Sequence, residues 1–234
     1  MELSMTEETG LDIVGIGKLA KAIPQKAWVQ AVDTACKTFR EAIAPFTALT
    51  SGTGRLIEAK FDRLVDAEKV LAAEAMSKAQ EKVVQSKKKP SGKAKANIVI
   101  AAIEATGSET DIVARELWSN LLAQEIINGN VHPEFPRILS RLSASDAQML
   151  AQIAERQEGK SAQLKIAIKK FSASISILGI AVELLQPDEE GTFTHEHLES
   201  LNLVCRREGA WGLTLTGKAF IQSVSDSWSD EAAV

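Results

Sequence analysis

The sequence predicts a mainly α-helical protein, in which N-terminal amphipathic helices and a long helix form a bundle and a small α+β module follows. Hydrophobic residues make up 45% of the 234 residues, yet there are only seven Phe, four Trp and no Tyr, so we expect an aliphatic core. Apolar residues recur every third or fourth position as far as residue 157, as they do on one face of a helix. After that point, short helical and strand-like segments alternate, which predicts the α+β module.

The N-terminal region is expected to contain a polar tail at residues 1–10 and a helical hairpin at residues 11–86. From Trp28 to Phe46, apolar residues follow one helical face, which we expect to pack on the long helix. A groove for a partner protein and a membrane surface are the alternatives, and the absence of excess basic residues argues against the membrane. Residues 55–85 contain neither Gly nor Pro, which predicts one continuous long helix.

A basic segment at residues 87–95 separates these helices from the rest of the chain. It combines five lysines with Pro90 and Gly92, so it is predicted to be a solvated, mobile linker. The alternative is a loop that contacts phosphate groups, although the segment has no aromatic residue on which a base could stack. Its lysines are Lys87, Lys88, Lys89, Lys93 and Lys95.

Residues 96–157 are predicted to form a central helical bundle. A short apolar helix at residues 96–105 comes first. The next helix, at residues 109–127, carries apolar residues on two adjoining stripes, and a face this wide is expected at the centre of the bundle.

Two turns are predicted within this central bundle. His132 precedes Pro133 at the first turn, where capping of the turn is a better interpretation than catalysis. At the second turn, Ser143 or Ser145 is predicted to cap a helix at residues 146–156, because a serine hydroxyl satisfies the free N–H groups at a helix start.

Residues 158–234 are predicted to form the C-terminal module. Its order of a helix, a short helix, a hairpin and a closing helix resembles a winged-helix module. Such a module would suit a nucleic-acid-binding regulator, with Arg206, Arg207 and the five lysines as phosphate contacts. Against this, the short helix carries Glu196 and Glu199, which would face phosphate unfavourably. The predicted elements are a helix at 172–185, a helix at 195–201 capped by Thr194, strands at 203–207 and 211–214, and a helix at 216–224.

No catalytic, cofactor-binding or metal-binding residues are predicted, and no enzyme class is indicated. The one cluster of potential metal ligands is His195, Glu196, His197 and Cys205. Positions two apart on a helix point in nearly opposite directions, so the two histidines are expected at the surface or half-buried and not on one metal. The scarcity of cysteines, the acidic N-terminus and the absence of a long apolar run predict a reduced, cytoplasmic protein without a transmembrane span.

A recurring pattern within residues 110–222 resembles the abortive-infection alpha family of bacterial proteins. Its pieces are a helix ending in LLA, then HPEF, ILSRLS and DAQML, in that order. The C-terminal segments LNLV and LTGKAF are also similar to this family. The motif positions are Trp118, Leu121, Leu122, His132, Pro133, Phe135, Leu142, Ser143, Asp146 and Leu150.

The resemblance implies a role in bacterial defence against phage, in which growth of the infected cell is arrested or sacrificed. It carries over no catalytic residues. The hypothesis is therefore a non-enzymatic effector or sensor that acts through a protein partner, self-association or contact with a membrane surface, without a cofactor. The alternative is the winged-helix nucleic-acid-binding regulator.

Overall fold

The computed structural model describes residues 24–47, 51–156, 162–177, 192–207 and 209–225. Over these residues it contains ten helices and one two-stranded antiparallel sheet, which confirms the mainly α fold with a small α+β region near the C-terminus. The helices are α1 (Gln25–Thr47), α2 (Ser51–Asp62), α3 (Asp66–Gln85), α4 (Ala96–Ser108), α5 (Ile112–Asn128), α6 (Glu134–Leu139), α7 (Ala144–Arg156), α8 (Ala162–Ile177), α9 (Phe193–Ser200) and α10 (Leu215–Val224). The strands are β1 (Val204–Arg207) and β2 (Ala210–Leu213).

The prediction of one continuous helix over residues 55–85 is wrong, because α2 ends at Asp62 and α3 begins at Asp66. Between them, Val65 is extended, with φ −71° and ψ 160°. Its N–H donates to Oε2 of Glu68 at 3.1 Å, so the Glu68 side chain caps the start of α3. The sequence concealed this break because Val65 is not a usual capping residue and the segment has no Gly or Pro.

The predicted apolar face of α1 packs against α2 and α3. Phe39 and Ile43 are buried in the core, and the ring of Phe39 stacks on that of Phe61 with 3.7 Å between centroids. Trp28, at the start of the face, is only half-buried. The side chain of Phe46 lies outside the described residues. Packing on the neighbouring helices is therefore confirmed for the second half of the face.

The basic segment at residues 87–95 is held against the end of α5, so the prediction of a mobile linker is wrong at its C-terminal end. The N–H of Ser91 donates to the carbonyl of Ile126 at 3.2 Å. Nζ of Lys95 donates to the carbonyls of Gly129 and Val131 at 3.0 and 2.9 Å. Gly129 has φ +64°, and a Cβ there would lie 2.8 Å from Cβ of Lys93, so this close approach requires glycine.

Helix α5 is the central helix, as predicted. It contacts α3 and α4 on the N-terminal side and α6, α8 and α10 on the C-terminal side. Both apolar stripes are buried, and so are three polar side chains, Ser119, Asn120 and Glu125. The helix therefore joins the two halves of the protein through contacts on most of its surface.

The C-terminal elements agree with most of the prediction. Strands β1 and β2 pair with Val204 opposite Leu213, and α10 packs on β2, α5 and α8. The cap of α9 is Thr192 and not Thr194. The helix predicted at residues 172–185 begins earlier, at Ala162, and its part beyond Ile177 lies outside the described residues.

Candidate functional site

A groove opens where the family motif meets the C-terminal elements. Its volume is about 640 Å³, which is in the range of ligand-binding clefts, roughly 300–1,000 Å³. The end of α5, the loop before α6, α6 itself, the end of α9 and α10 form its walls. Its lining residues are Gln124, Asn130, His132, Glu134, Phe135, Arg137, Ile138, Arg141, Ser200, Leu201, Asn202, Thr216, Ala219, Gln222 and Ser223.

The groove combines an apolar base with many hydrogen-bonding side chains. Phe135, Ile138 and Leu201 are buried among its lining residues. The ring of Phe135 meets the edge of Phe220 with 5.7 Å between centroids, which fixes its orientation. Four amide side chains lie around these apolar residues, and each offers both donors and acceptors. They belong to Gln124, Asn130, Asn202 and Gln222.

The charge of the groove is weakly positive. Arg137 and Arg141 contribute two positive charges and Glu134 one negative charge, which leaves one net positive charge. The Arg137 guanidinium lies 3.4 Å from the Glu134 carboxylate, and both side chains are exposed. An exposed ion pair of this kind contributes little to stability, so an anionic group could replace Glu134 as the partner of Arg137. Arg141 also lines the groove, and guanidinium groups are well suited to bind carboxylates and phosphates.

His132 caps the turn at one wall of the groove, as predicted. Its Nδ1 accepts a hydrogen bond from the N–H of Glu134 at 3.2 Å. Its ring lies 5.6 Å from that of Phe135, centroid to centroid. The exposed Pro133 follows and initiates α6. His132 therefore lines the groove while its Nδ1 holds the turn, and Pro133 starts the helix that forms the adjoining wall.

The remaining motif residues have structural positions. Ser143 caps α7 as predicted, since its Oγ accepts from the N–H of Asp146 at 3.2 Å. The Asp146 carboxylate in turn accepts from the N–H of Ser143 at 2.8 Å and lies 3.2 Å from Nδ1 of His197. This buried carboxylate thereby joins the start of α7 to α9. The others, Trp118, Leu121, Leu122, Leu142 and Leu150, are buried in the core.

The two histidines of α9 diverge, as predicted, but His195 is more buried than expected. Its Nδ1 accepts from the N–H of Thr192 at 3.1 Å, and its ring stacks on Trp211 at 4.9 Å. Burial, with a smaller contribution from Arg156, lowers the pKa of His195, so its neutral form is favoured. No group of three His, Cys, Asp or Glu residues suited to a metal ion occurs in the part of the chain that the structure describes.

The basic residues considered for phosphate contact lie on separate elements. Lys87, Lys89 and Lys93 are exposed and Lys88 is half-buried, whereas the ammonium of Lys95 is bound by backbone carbonyls. Arg206 and Arg207 are exposed on β1. On α9, Glu196 and Glu199 are exposed, so this helix presents negative charge to the solvent.

Two buried polar residues of α5 were missed by the sequence analysis. Nδ2 of Asn120 donates to the carbonyl of Val224 at 2.9 Å, which fixes the end of α10. The Glu125 carboxylate accepts from the N–H of Lys95 at 2.6 Å and of Val131 at 2.9 Å. Burial raises the pKa of Glu125, although these hydrogen bonds and the Lys95 charge oppose the shift. A signal was present, since an acidic residue in the last turn of a helix is unfavourable without such partners.

The fold and the groove define a helical protein with a groove of mixed polar and apolar character. The sequence model of the family described as abortive infection alpha matches residues 65–223, and the chain belongs to this family. The match extends further towards the N-terminus than the resemblance indicated and includes α3 and α4. Comparisons with curated proteins and with solved structures gave no match. Among the described helices, none has the length and apolar character to cross a membrane.

Proposed function

We propose that this protein is a non-enzymatic effector or sensor in an abortive-infection defence against phage, acting in the cytoplasm through contact with a protein partner. One observation carries the proposal: His132, Phe135 and neighbouring residues of the family segment line the groove. The apolar base suits a partner's apolar side chain, and the surrounding amides suit its peptide groups.

The chemistry of the motif supports a binding role and gives no support to catalysis. Among the ten motif positions the one carboxylate is that of Asp146, which is buried and accepts hydrogen bonds from Ser143. His132 is used to cap a turn. The ionisable motif residues therefore act within the fold, while the groove offers apolar surface, amides and two arginines to a partner.

A second contact surface in this proposal is the first half of α1. Ala27 and Ala31, one turn apart on α1, are exposed and line a cleft between α1 and α3 together with Val70. An exposed apolar face of this kind suits self-association or contact with a membrane surface. Nucleic-acid binding by the winged-helix-like part is less favoured, because α9 presents Glu196 and Glu199 to the solvent.

The test is phage infection of bacteria that express the protein together with its genomic neighbours. Plaque counts are compared for the wild type, for Arg137→Glu with Arg141→Glu in the groove, and for Arg206→Glu with Arg207→Glu on the hairpin. The second pair is a matched control, since it makes the same change of charge outside the groove. Circular dichroism confirms that each variant is folded.

The expected result is that the wild type and the hairpin variant both reduce plaque counts, whereas the groove variant does not. Unchanged plaque counts with the wild type, over several phages, would contradict a defence role. Equal loss in both variants would contradict the role of the groove, because the effect would then follow overall charge.

A further inference from the structure

The chain leaves α10 beside the groove. Gln222 and Ser223, in the last turn of α10, both line it. The amide of Asn120 holds the carbonyl of Val224 at 2.9 Å, and Ser225 is fully buried. The position from which the following residues start is therefore fixed at the groove wall.

The following residues have a composition that complements the groove. Residues 226–234 read DSWSDEAAV, with three acidic residues, no basic residue and one tryptophan. They lie outside the described residues. The three negative charges of this sequence are complementary to a groove with one net positive charge, and tryptophan is an apolar side chain of the kind that the base formed by Phe135, Ile138 and Leu201 would accept.

The length of this segment is sufficient to reach every part of the groove. Nine residues can span up to about 30 Å when extended. A groove of 640 Å³ accommodates only part of such a segment, so Trp228 and its acidic neighbours can enter it while the rest stays outside. The short connection from Ser225 also keeps the local concentration of the segment high.

We propose that residues 226–234 bind in the groove of their own chain, with Trp228 on the apolar base and Asp230 or Glu231 beside Arg137 and Arg141. This proposal rests on the proposed function, in which the groove is the surface for a protein partner. A partner must then displace the segment, so the chain contains its own competitor for partner binding.

The competition between residues 226–234 and a protein partner for the groove can be expressed as a change in affinity. A short flexible connection gives an effective concentration of about 1 mM. A segment that binds as a separate peptide with a Kd of about 100 μM would therefore fill the groove of its own chain about ten to one. A partner would bind about tenfold more weakly than to an empty groove, which corresponds to about 1.4 kcal/mol.

The test uses the full chain and a fluorescently labelled peptide of residues 225–234. In one variant, Asp226→Lys, Asp230→Lys and Glu231→Lys together remove the complementary charge, which should leave the groove open. Binding of the peptide is measured by fluorescence anisotropy. We expect this tail variant to bind the peptide, and the wild type to bind it about tenfold more weakly because its groove is occupied.

Two further variants, made in the tail variant, locate the binding site. Arg137→Glu with Arg141→Glu should weaken peptide binding about tenfold or more, whereas the same change at Arg206 and Arg207 should not. If the first pair disturbs folding, as judged by its thermal melt, Arg137→Ala with Arg141→Ala replaces it.

Three results would each overturn the proposal. They are absence of peptide binding by the tail variant, equal peptide binding by the tail variant and the wild type, and equal loss in the groove and hairpin variants. The plaque assay keeps this proposal distinct from the proposed function. If the groove arginines are needed against phage but the peptide does not bind, only the competing segment is refuted; if the peptide binds but plaque counts never change, only the defence role is refuted.

Discussion

Replacement of Gly217 by alanine tests how closely α10 lies on the hairpin. A Cβ at this position would overlap the carbonyl oxygen of Leu203 and lie 2.9 Å from its carbonyl carbon. Ordinary contacts of a Cβ begin at 3.4 Å, so the backbone of α10 must move by at least 0.5 Å to clear the carbon, and further to clear the oxygen. Neither group is the end of a flexible side chain, so the strain cannot be relieved by a rotamer change.

Three contributions determine the expected change in the free energy of unfolding. Overpacking costs about 1–3 kcal/mol. The same movement stretches the hydrogen bond from the N–H of Thr214 to the carbonyl of Leu203, now 3.0 Å long, and its loss costs about 1 kcal/mol. Alanine recovers up to about 1 kcal/mol of helix propensity over glycine. We therefore expect Gly217→Ala to destabilise the protein by about 1–3 kcal/mol.

The measurement is urea unfolding followed by circular dichroism. With a slope of about 2 kcal/mol per molar urea, the midpoint should fall by about 0.5–1.5 M. Gly107→Ala in α4 is the matched control, because a Cβ there would lie 3.2 Å from a side-chain carbon, Cβ of Glu68, and needs an adjustment of only a few tenths of an ångström. A Gly217→Ala protein as stable as the wild type would refute the close approach of α10 to Leu203.

Two further predictions concern buried ionisable groups. Glu125→Ala should cost about 1–3 kcal/mol in urea unfolding, because it leaves the N–H groups of Lys95 and Val131 without their acceptor. The exposed Glu41→Ala should change stability by less than about 0.5 kcal/mol, and similar losses in both would contradict this account. Because burial lowers the pKa of His195 below its usual 6.5, the unfolded chain takes up the proton first as the pH falls. The free energy of unfolding should therefore decrease below pH 6.5, and His195→Phe should reduce this decrease; an unchanged pH dependence in that variant would contradict it.

Several features could be predicted because they depend on neighbours three or four residues apart. The helical fold and the burial of the α5 stripes follow from apolar spacing, and the capping of α7 by Ser143 follows from its place before a helix. The break at Val65 could not be predicted in this way. There the preference of the segment for helix was overruled by a cap from Glu68 and by packing of Leu64 on the core.

The groove depends on contacts between distant parts of the chain. Its walls come from Gln124 on α5 and from residues such as Gln222 on α10, almost 100 positions later. The resemblance identified His132 and Phe135 as motif residues, but spacing could not show that they face Asn202 and Thr216 across a groove. Only the docking of α10 on α5, α8 and β2 brings these side chains together.

The sequence by itself determined the helical class, the family and the cap of α7 by Ser143, because each of these follows from residues close together in the chain. Only the tertiary structure decided which polar residues are buried and which partners they bind. Asn120 and Glu125 both lie within a predicted helix, yet both are buried because α5 is packed between the two halves of the protein. There Nδ2 of Asn120 donates to the carbonyl of Val224, and the Glu125 carboxylate accepts from the N–H of Lys95. Lys95 likewise belongs to a basic segment in sequence, but in the fold its charge is bound by the end of α5.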